Sequence, residues 1–352
     1  MNLHDRINAF SKLGNVLHRF ILQHEQDLDQ AQTADQYFSL LSNGIQKAYH
    51  HNNWFTEANV LYSIRSWAKL LNENSLNEWL NHYTIKEKPP KSVAVIMAGN
   101  IPLVGFHDFL CVLITGHRIL IKESSNDNVL LKTLCDILFK IEPRFEHLIR
   151  FTNEQLKNYD AVIATGSNNT ARYFEYYFSK YPHVIRKNRN SVAVLRGNES
   201  LETLEALSDD IFRYYGLGCR NVSKLYVPED YDFNLFFNAI YKWHPVIHEH
   251  KYANNYDYNK AVYLMSEYDI LDNGFLVLKQ DPQLSSPIAS LNYEYYNNKE
   301  QLKAKITHLS EDIQCVVSEG FITSEIPFGE TQSPGLSAYA DDLDTVEFLL
   351  TI

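Results

Sequence analysis

Between residues 92 and 215, short β-branched runs alternate with longer segments whose apolar residues recur every three or four positions. That alternation restricts the chain to a parallel sheet wound by helices on both faces. The expected order is strand 92–97, helix 103–115, strand 118–122, helix 127–141, strands near 149–152 and 160–164, helix 168–180, strand 191–195 and helix 201–215. In such sheets ligands bind outside the carboxyl ends of the strands. Ala98-Gly99-Asn100, Glu123-Ser124-Ser125 and Thr165-Gly166-Ser167 therefore fall on one edge.

Upstream, the spacing of Ile45 and Tyr49, and of Val60, Ile64, Trp67, Leu70 and Leu71, reads as amphipathic helices between Leu3 and about Tyr83. The pattern breaks at Lys88-Pro89-Pro90-Lys91. Downstream of Gly216, a strand at 224–227, a helix at 231–243 and strands near 275–280, 288–293 and 313–318 indicate a second α/β lobe. The expected division is a helical segment 1–88 packed on a cofactor lobe 89–215, a catalytic lobe 216–335 and a C-terminal segment 336–352. At 352 residues, two lobes accord with the usual size of a domain.

A net charge of −11 argues against nucleic acid and anionic membrane as partners, since both are held by basic patches. No stretch approaches the roughly 20 apolar residues that span a bilayer, and the N-terminus has no apolar signal core, so a cytoplasmic protein without membrane insertion is expected. The four cysteines stand far apart without a CxxC pair and are expected to be reduced. Cys111, Cys135 and Cys315 lie in apolar runs and read as small core residues. Cys219 is flanked instead by Gly216, Gly218 and Arg220, at a helix end just before a strand. Glycines let a substrate approach sulfur, and the charges of Arg220 and Lys224 are expected to favour the nucleophilic thiolate. His244, His248 and His250 lack a fourth ligand of defined spacing, so no metal is expected. Tyr256, Tyr258, Tyr293, Tyr295 and Tyr296 read as packing aromatics.

Taken in order, the loops resemble those of the aldehyde dehydrogenase superfamily. Val93 through Asn100-Ile101-Pro102 resembles its strand and Asn-Phe-Pro turn, and Arg118 through Lys122-Glu123-Ser124-Ser125 resembles its Lys-Pro-Ser-Glu strand end. Ala164-Thr165-Gly166-Ser167 is similar to its Phe-Thr-Gly-Ser loop, Cys219 through Val227 to its nucleophile and following strand, and Pro327-Phe328-Gly329 to its late Pro-Phe-Gly segment. This likeness covers about residues 90 to 352. Asn53-Trp54-Phe55-Thr56, Gly216 through Cys219 and Tyr339 through Thr345 are more similar to the LuxC-type fatty-acyl reductases, which extends the likeness to the N-terminal helices.

The resemblance implies an α/β fold with a doubly wound, Rossmann-type cofactor lobe and a second α/β catalytic lobe. It implies reduction of an acyl-CoA or acyl-protein thioester to an aldehyde by NAD(P)H, through a thioester on Cys219. The amide of Asn100 and the backbone N–H of Cys219 would then donate to the oxyanion, each such donor being worth about 2.7–4 kcal/mol. Lys122, Ser124, Ser125, Thr165, Gly166 and Ser167 are the implied cofactor contacts. Ser125 replaces a glutamate that would repel a 2′-phosphate, and Lys122 is nearby, so NADPH is favoured over NADH. The segment matching the family's Glu-Leu-Gly-Gly-Lys run, Arg186 through Ser191, has no carboxylate to activate water, which favours reduction over hydrolysis. Its basic residues, Arg186, Lys187 and Arg189, read as solvated surface charge or as contacts for coenzyme A phosphates. A homo-oligomer stays open, because little sequence lies ahead of strand 92–97 for the family's projecting hairpin. Competing readings are an NAD-dependent aldehyde dehydrogenase and a cofactor-free acyltransferase using the same cysteine.

Overall fold

Apolar residues at helical spacing wind the N-terminal part into α1 (Leu3–Glu25), α2 (Gln36–His51), α3 (Glu57–Leu70) and α4 (Glu73–Leu80). Asp35 and Asn72 start α2 and α4 by accepting the backbone N–H of Tyr37 and Ser75. The computed structural model describes residues 1–25 and 35–352; the helical expectation for 26–34 lies outside them.

A parallel sheet follows, built from β1 (Ser92–Ile96), β2 (Arg118–Lys122), β3 (Ile149–Phe151), β4 (Ala161–Thr165) and β5 (His183–Arg186). Its order is β3-β2-β1-β4-β5, with α5 (Phe106–Ile114), α6 (Leu130–Ile141) and α7 (Asn168–Phe178) as crossovers. The chain winds outward from β1 to β3 and then resumes on the other side of β1 at β4, so the order reverses between β1 and β4, the kind of switch point at which such sheets bind ligands. Val93, Ala94 and Val95 are buried, as the uninterrupted apolar run of a doubly covered strand requires.

The first four helices share the core of this sheet. Phe10, Leu13 and Leu17 of α1 and Val60 and Ile64 of α3 pack in one cluster with Phe109 of α5 and Leu134 of α6. Phe10 meets the rings of Phe109 and Phe145 edge-on, at centroid distances of 6.3 and 5.5 Å.

A second sheet holds β6 (Asn190–Val194), β7 (Val222–Pro228), β8 (Ile270–Asp272), β9 (Val277–Gln280), β10 (Ser290–Tyr296) and β11 (Ile313–Val317) in the order β11-β6-β7-β10-β9-β8. Only the β8-β9 pair is antiparallel. Around it lie α8 (Leu201–Phe212), α9 (Phe233–Ala239), α10 (His250–Met265) and α11 (Lys299–His308). A last helix, α12 (Thr345–Thr351), joins the core of the first sheet through Val346 and Leu349. The chain thus forms two compact units, residues 1–187 with 335–352 and residues 188–334. The division falls at 187/188, not at the expected 215/216, because β6 pairs with β7 and β11 and carries α8 with it. Among the described residues, no helix is long and apolar enough to cross a membrane.

The first unit holds a buried ion pair that corrects the reading of Arg186 as a surface cation. Arg186, at the end of β5, is 4% exposed. Its Nη1 donates to Asp108 Oδ2 at 2.6 Å and its Nη2 to Thr345 Oγ1 at 2.7 Å, so one guanidinium joins β5, α5 and α12. Removing one partner of such a pair leaves an uncompensated buried charge, which costs about 3–5 kcal/mol. Asp108→Ala is expected to lower unfolding free energy by about that amount in urea titration; a loss under about 1 kcal/mol would show that the pair does not hold the unit together.

Candidate active site

In the first unit the residues expected to meet a cofactor lie at the carboxyl edge of the sheet. β1 delivers Met97-Ala98-Gly99-Asn100 and β2 delivers Lys122 through Ser125. A Cβ on Gly99 would lie 2.6 Å from Ser124 Cβ, so only glycine lets these two loops touch. Ser124 Oγ accepts the N–H of Asn126 at 3.2 Å, and Lys122 Nζ donates to the Glu154 carbonyl at 3.3 Å. Glu123 turns inward: its side chain is 5% exposed and pairs with Lys132 at 2.5 Å. Ser125 is exposed.

β4 ends at Thr165, and the N–H of Gly166 is taken by the Arg186 carbonyl at 3.2 Å. Ser167 caps α7 by accepting the N–H of Thr170 at 3.2 Å. The first turn of α7 is exposed at Asn168 and Asn169, and its free backbone N–H groups and positive dipole end follow β4 directly.

The turn bearing Asn100 is held from two sides. Ser63 of α3 donates to the Pro102 carbonyl at 3.0 Å. Asp127 Oδ2 accepts the N–H of Leu103, which sits in the left-handed region at φ 59°. Burial pushes the Asp127 carboxyl up to about 6, against the pull of its backbone hydrogen bonds. At the end of α2, His51 Nε2 lies 2.5 Å from the Ser125 carbonyl and Asn52 Nδ2 donates to the Asn126 carbonyl at 3.2 Å. The N-terminal helices, expected to pack on the cofactor lobe, thus brace both loops.

Cys219 belongs to the second unit, in the connection from α8 to β7. It is half-buried, whereas Cys111, Cys135 and Cys315 are buried, and none of the four is in a disulfide. After α8 the chain passes through three successive left-handed residues, Tyr214 at φ 55°, Tyr215 at φ 59° and Gly216 at φ 75°. Asn221 then closes the turn, its N–H donating to the Gly218 carbonyl at 3.0 Å. Ser191 Oγ donates to the Cys219 carbonyl at 2.9 Å.

Of the two cations expected to act on Cys219, Lys224 is engaged elsewhere, while Arg220 reaches Cys315 with one nitrogen. Lys224 is fully buried, donating to Glu294 Oε2 at 2.7 Å and to the Asp281 carbonyl at 3.0 Å, so its charge is spent on Glu294. Arg220 Nη1 donates to Cys315 Sγ at 3.5 Å. Burial pushes the Cys315 thiol up, with Arg220 pulling the other way.

The Pro327-Phe328-Gly329 segment is fastened to the same region through Asp210, on the last turn of α8. Its carboxylate accepts the N–H of Gly329 at 2.7 Å, the N–H of Thr331 at 3.0 Å and the Thr331 hydroxyl at 2.7 Å. Neither Asp210 nor Asn221 was singled out from sequence. An acidic residue on an otherwise apolar helix face, and an Asn two places after the cysteine, were the available signals. Among the described residues, no group of three His, Cys, Asp or Glu is arranged to hold a metal. Tyr256 packs as expected, whereas Tyr258 is 69% exposed.

A parallel sheet and a mixed sheet of these strand orders define an aldehyde-dehydrogenase-like fold, and solved structures agree. An aldehyde dehydrogenase from Bacillus cereus, solved as its NAD+ complex, superposes with a TM-score of 0.62 at 11% identity, over 90% of this chain and 72% of that one. An oxidoreductase from Marinobacter aquaeolei gives 0.61 at 11% identity, over 90% and 73%. Within that fold class the chain belongs to the LuxC acyl-CoA reductase family, whose model matches residues 18–235, a span that includes Asn100 and Cys219. The long-chain acyl-protein thioester reductase of Aliivibrio fischeri is 24% identical over 292 residues, 75% of this chain. The match spans 59% of that relative's length.

Asp210 makes the site's stability depend on pH. Burial pushes its carboxyl up to about 6 from an ordinary 3.8, although its three hydrogen bonds pull it down. A folded value above the unfolded one gives a contribution that is complete below the ordinary value and is lost as pH rises through about 6. Between about pH 5 and about pH 7.5, wild-type stability in urea is expected to fall by about 1 kcal/mol more than that of Asp210→Asn. Equal pH slopes would show that this carboxyl does not titrate in the folded chain.

Proposed function

We propose that this protein reduces a long-chain acyl thioester to an aldehyde through a covalent thioester on Cys219. Membership in the LuxC acyl-CoA reductase family carries this reading, together with a half-buried cysteine on a glycine-flanked turn, where the other three cysteines are buried. The activity of the Aliivibrio fischeri thioester reductase supports a long acyl chain and an acyl-protein donor, and membership among acyl-CoA reductases supports acyl-CoA.

In this reading the Cys219 thiolate attacks the acyl carbonyl carbon, forming a carbon–sulfur bond and an oxyanion. Collapse breaks the bond to the donor sulfur, which leaves as a thiolate and takes a proton. The residues assigned below would hold a reduced nicotinamide, which when bound would supply hydride to the thioester carbon. The resulting thiohemiacetal anion collapses to aldehyde and restores the Cys219 thiolate. Asn100 and the backbone N–H of Cys219 are assigned as donors to each oxyanion. No carboxylate lies in Arg186 through Ser191 to activate water, which favours hydride over hydrolysis of the acyl-enzyme.

The cofactor contacts assigned are Lys122, Ser124, Ser125, Thr165, Gly166 and Ser167. With Glu123 turned inward onto Lys132, the exposed end of β2 offers Ser125 and the cation of Lys122, which supports NADPH as the hydride donor. An aldehyde-oxidising role is the second reading, favoured only by the fold of the solved relatives.

Cys219→Ala and Cys219→Ser are expected to abolish acylation on addition of acyl-CoA while leaving the circular dichroism spectrum and unfolding midpoint unchanged. Intact-mass measurement reads it: a Cys219→Ala protein that still gains the acyl mass would overturn the assignment. For the cofactor, binding followed by NAD(P)H fluorescence is expected to be tighter for NADPH, and Ser125→Glu is expected to weaken NADPH binding by about tenfold or more with little change for NADH. Tighter NADH binding by the wild type would refute the choice of NADPH.

A further inference from the structure

A helix that ends has carbonyls without helical partners, and these need donors. At the end of α8 the donors come from one side chain. Asn221, 3% exposed, directs its Nδ2 to the carbonyls of Asp210 at 3.0 Å, Ile211 at 3.4 Å and Arg213 at 2.8 Å. Its Oδ1 accepts the N–H of Gly218 at 2.8 Å. The same residue's N–H returns to the Gly218 carbonyl at 3.0 Å, so Gly218 and Asn221 are joined twice and only Cys219 and Arg220 lie between them.

We propose that Asn221 is the positioning residue for Cys219, its amide locking the two-residue turn that carries the sulfur onto the rigid end of α8. This rests on the reading of Cys219 as the nucleophile. An amide is required: the turn needs an acceptor for Gly218 and a donor for the α8 carbonyls at once, and no carboxylate or hydroxyl of the same reach supplies both without a charge or a gap. The left-handed path through Tyr214, Tyr215 and Gly216 brings Asn221 back under the helix end, and the burial of both tyrosines holds that path. Asp210 extends the same device, since its carbonyl accepts from Asn221 while its carboxylate holds Gly329 and Thr331. Attack on a carbonyl carbon tolerates little misplacement of sulfur, and a shift of about 1 Å can cost about a hundredfold in rate.

The test compares Asn221→Asp, which keeps the acceptor for Gly218 but turns a charge on the α8 carbonyls, with Asn221→Ala, which loses both. Acyl-enzyme formation is followed by intact mass, using the acyl-CoA length that acylates the wild type fastest, and rates are expressed per iodoacetamide-reactive Cys219. Because iodoacetamide also alkylates unfolded chains, the count is scaled by the folded fraction read from circular dichroism, so a merely structural role leaves the rate per folded site unchanged. The expected result is a limiting acylation rate at least about tenfold lower in both variants, with half-saturation within about twofold of wild type. Limiting rates per site within about twofold of wild type overturn the proposal. Should Asn221→Ala give no folded protein, Asn221→Asp is judged by the same ratio. Cys219→Ala run alongside separates the two readings: acylation persisting in it would sink the nucleophile, whereas a silent Cys219→Ala with unaffected Asn221 variants would sink only the role of Asn221.

Discussion

Parallel strands cannot be joined by a tight turn; each needs a crossover that carries the chain back before the next strand begins. That constraint places every loop able to do chemistry in the first sheet on one edge, because β1, β2 and β4 all run the same way. Asn100, Lys122 through Ser125, and Thr165 through Ser167 are far apart in sequence and become neighbours of a common edge for this reason. In the second sheet Cys219 lies instead ahead of a strand, in the loop from α8 to the amino end of β7, which is parallel to β6 and β10.

Edge position does not by itself fix a side chain, and the structure adds polar clamps where it is needed. Left-handed conformations at non-glycine residues cost about 1–3 kcal/mol each and persist only where surroundings over-determine them. Leu103, Tyr214 and Tyr215 are such residues, and each is buried next to a turn assigned to chemistry. In the first unit Ser63 and Asp127 restrain the turn; in the second, Asn221 and Ser191 do. Asn158, Glu267, Ala289, Asp341 and Asp342 adopt the same conformation elsewhere, so these turns share the strain with other loops and differ in the polar clamps that hold them.

The strands β1, β2 and β4 were legible because a strand covered on both faces reads as an unbroken apolar run, and Val93 through Val95 is one. Cys219 was legible because its glycine neighbours set it apart from three cysteines in aliphatic company. α10 was missed because its buried stripe is Tyr252, Tyr256, Asn259 and Tyr263, residues whose polar ends hide the periodicity until Phe275, Asp272 and Ile288 are seen to satisfy them. β5 has four residues, too few to show a period. The charges were misjudged for a related reason: Arg186 reads as a surface cation and Lys224 as a charge acting on Cys219 until Asp108 and Glu294, 78 and 70 positions away, are brought against them. Partner choice over such separations is a property of the fold, and local pattern does not encode it.

Residues 188–334 form one unit from a continuous stretch, whereas the other unit needs residues 335–352 as well. Leu336, Tyr339, Val346 and Leu349 belong to its apolar interior, Trp79 Nε1 donates to the Tyr339 hydroxyl at 2.8 Å, and Thr345 takes a hydrogen bond from Arg186. A ribosome delivers the chain from its beginning at about 5–20 residues per second. The later-made unit can therefore close first, while the earlier-made one stays open along the groove that 335–352 will fill. For the roughly ten seconds or more that 147 residues take to emerge, that groove exposes apolar surface to the cell and to its chaperones.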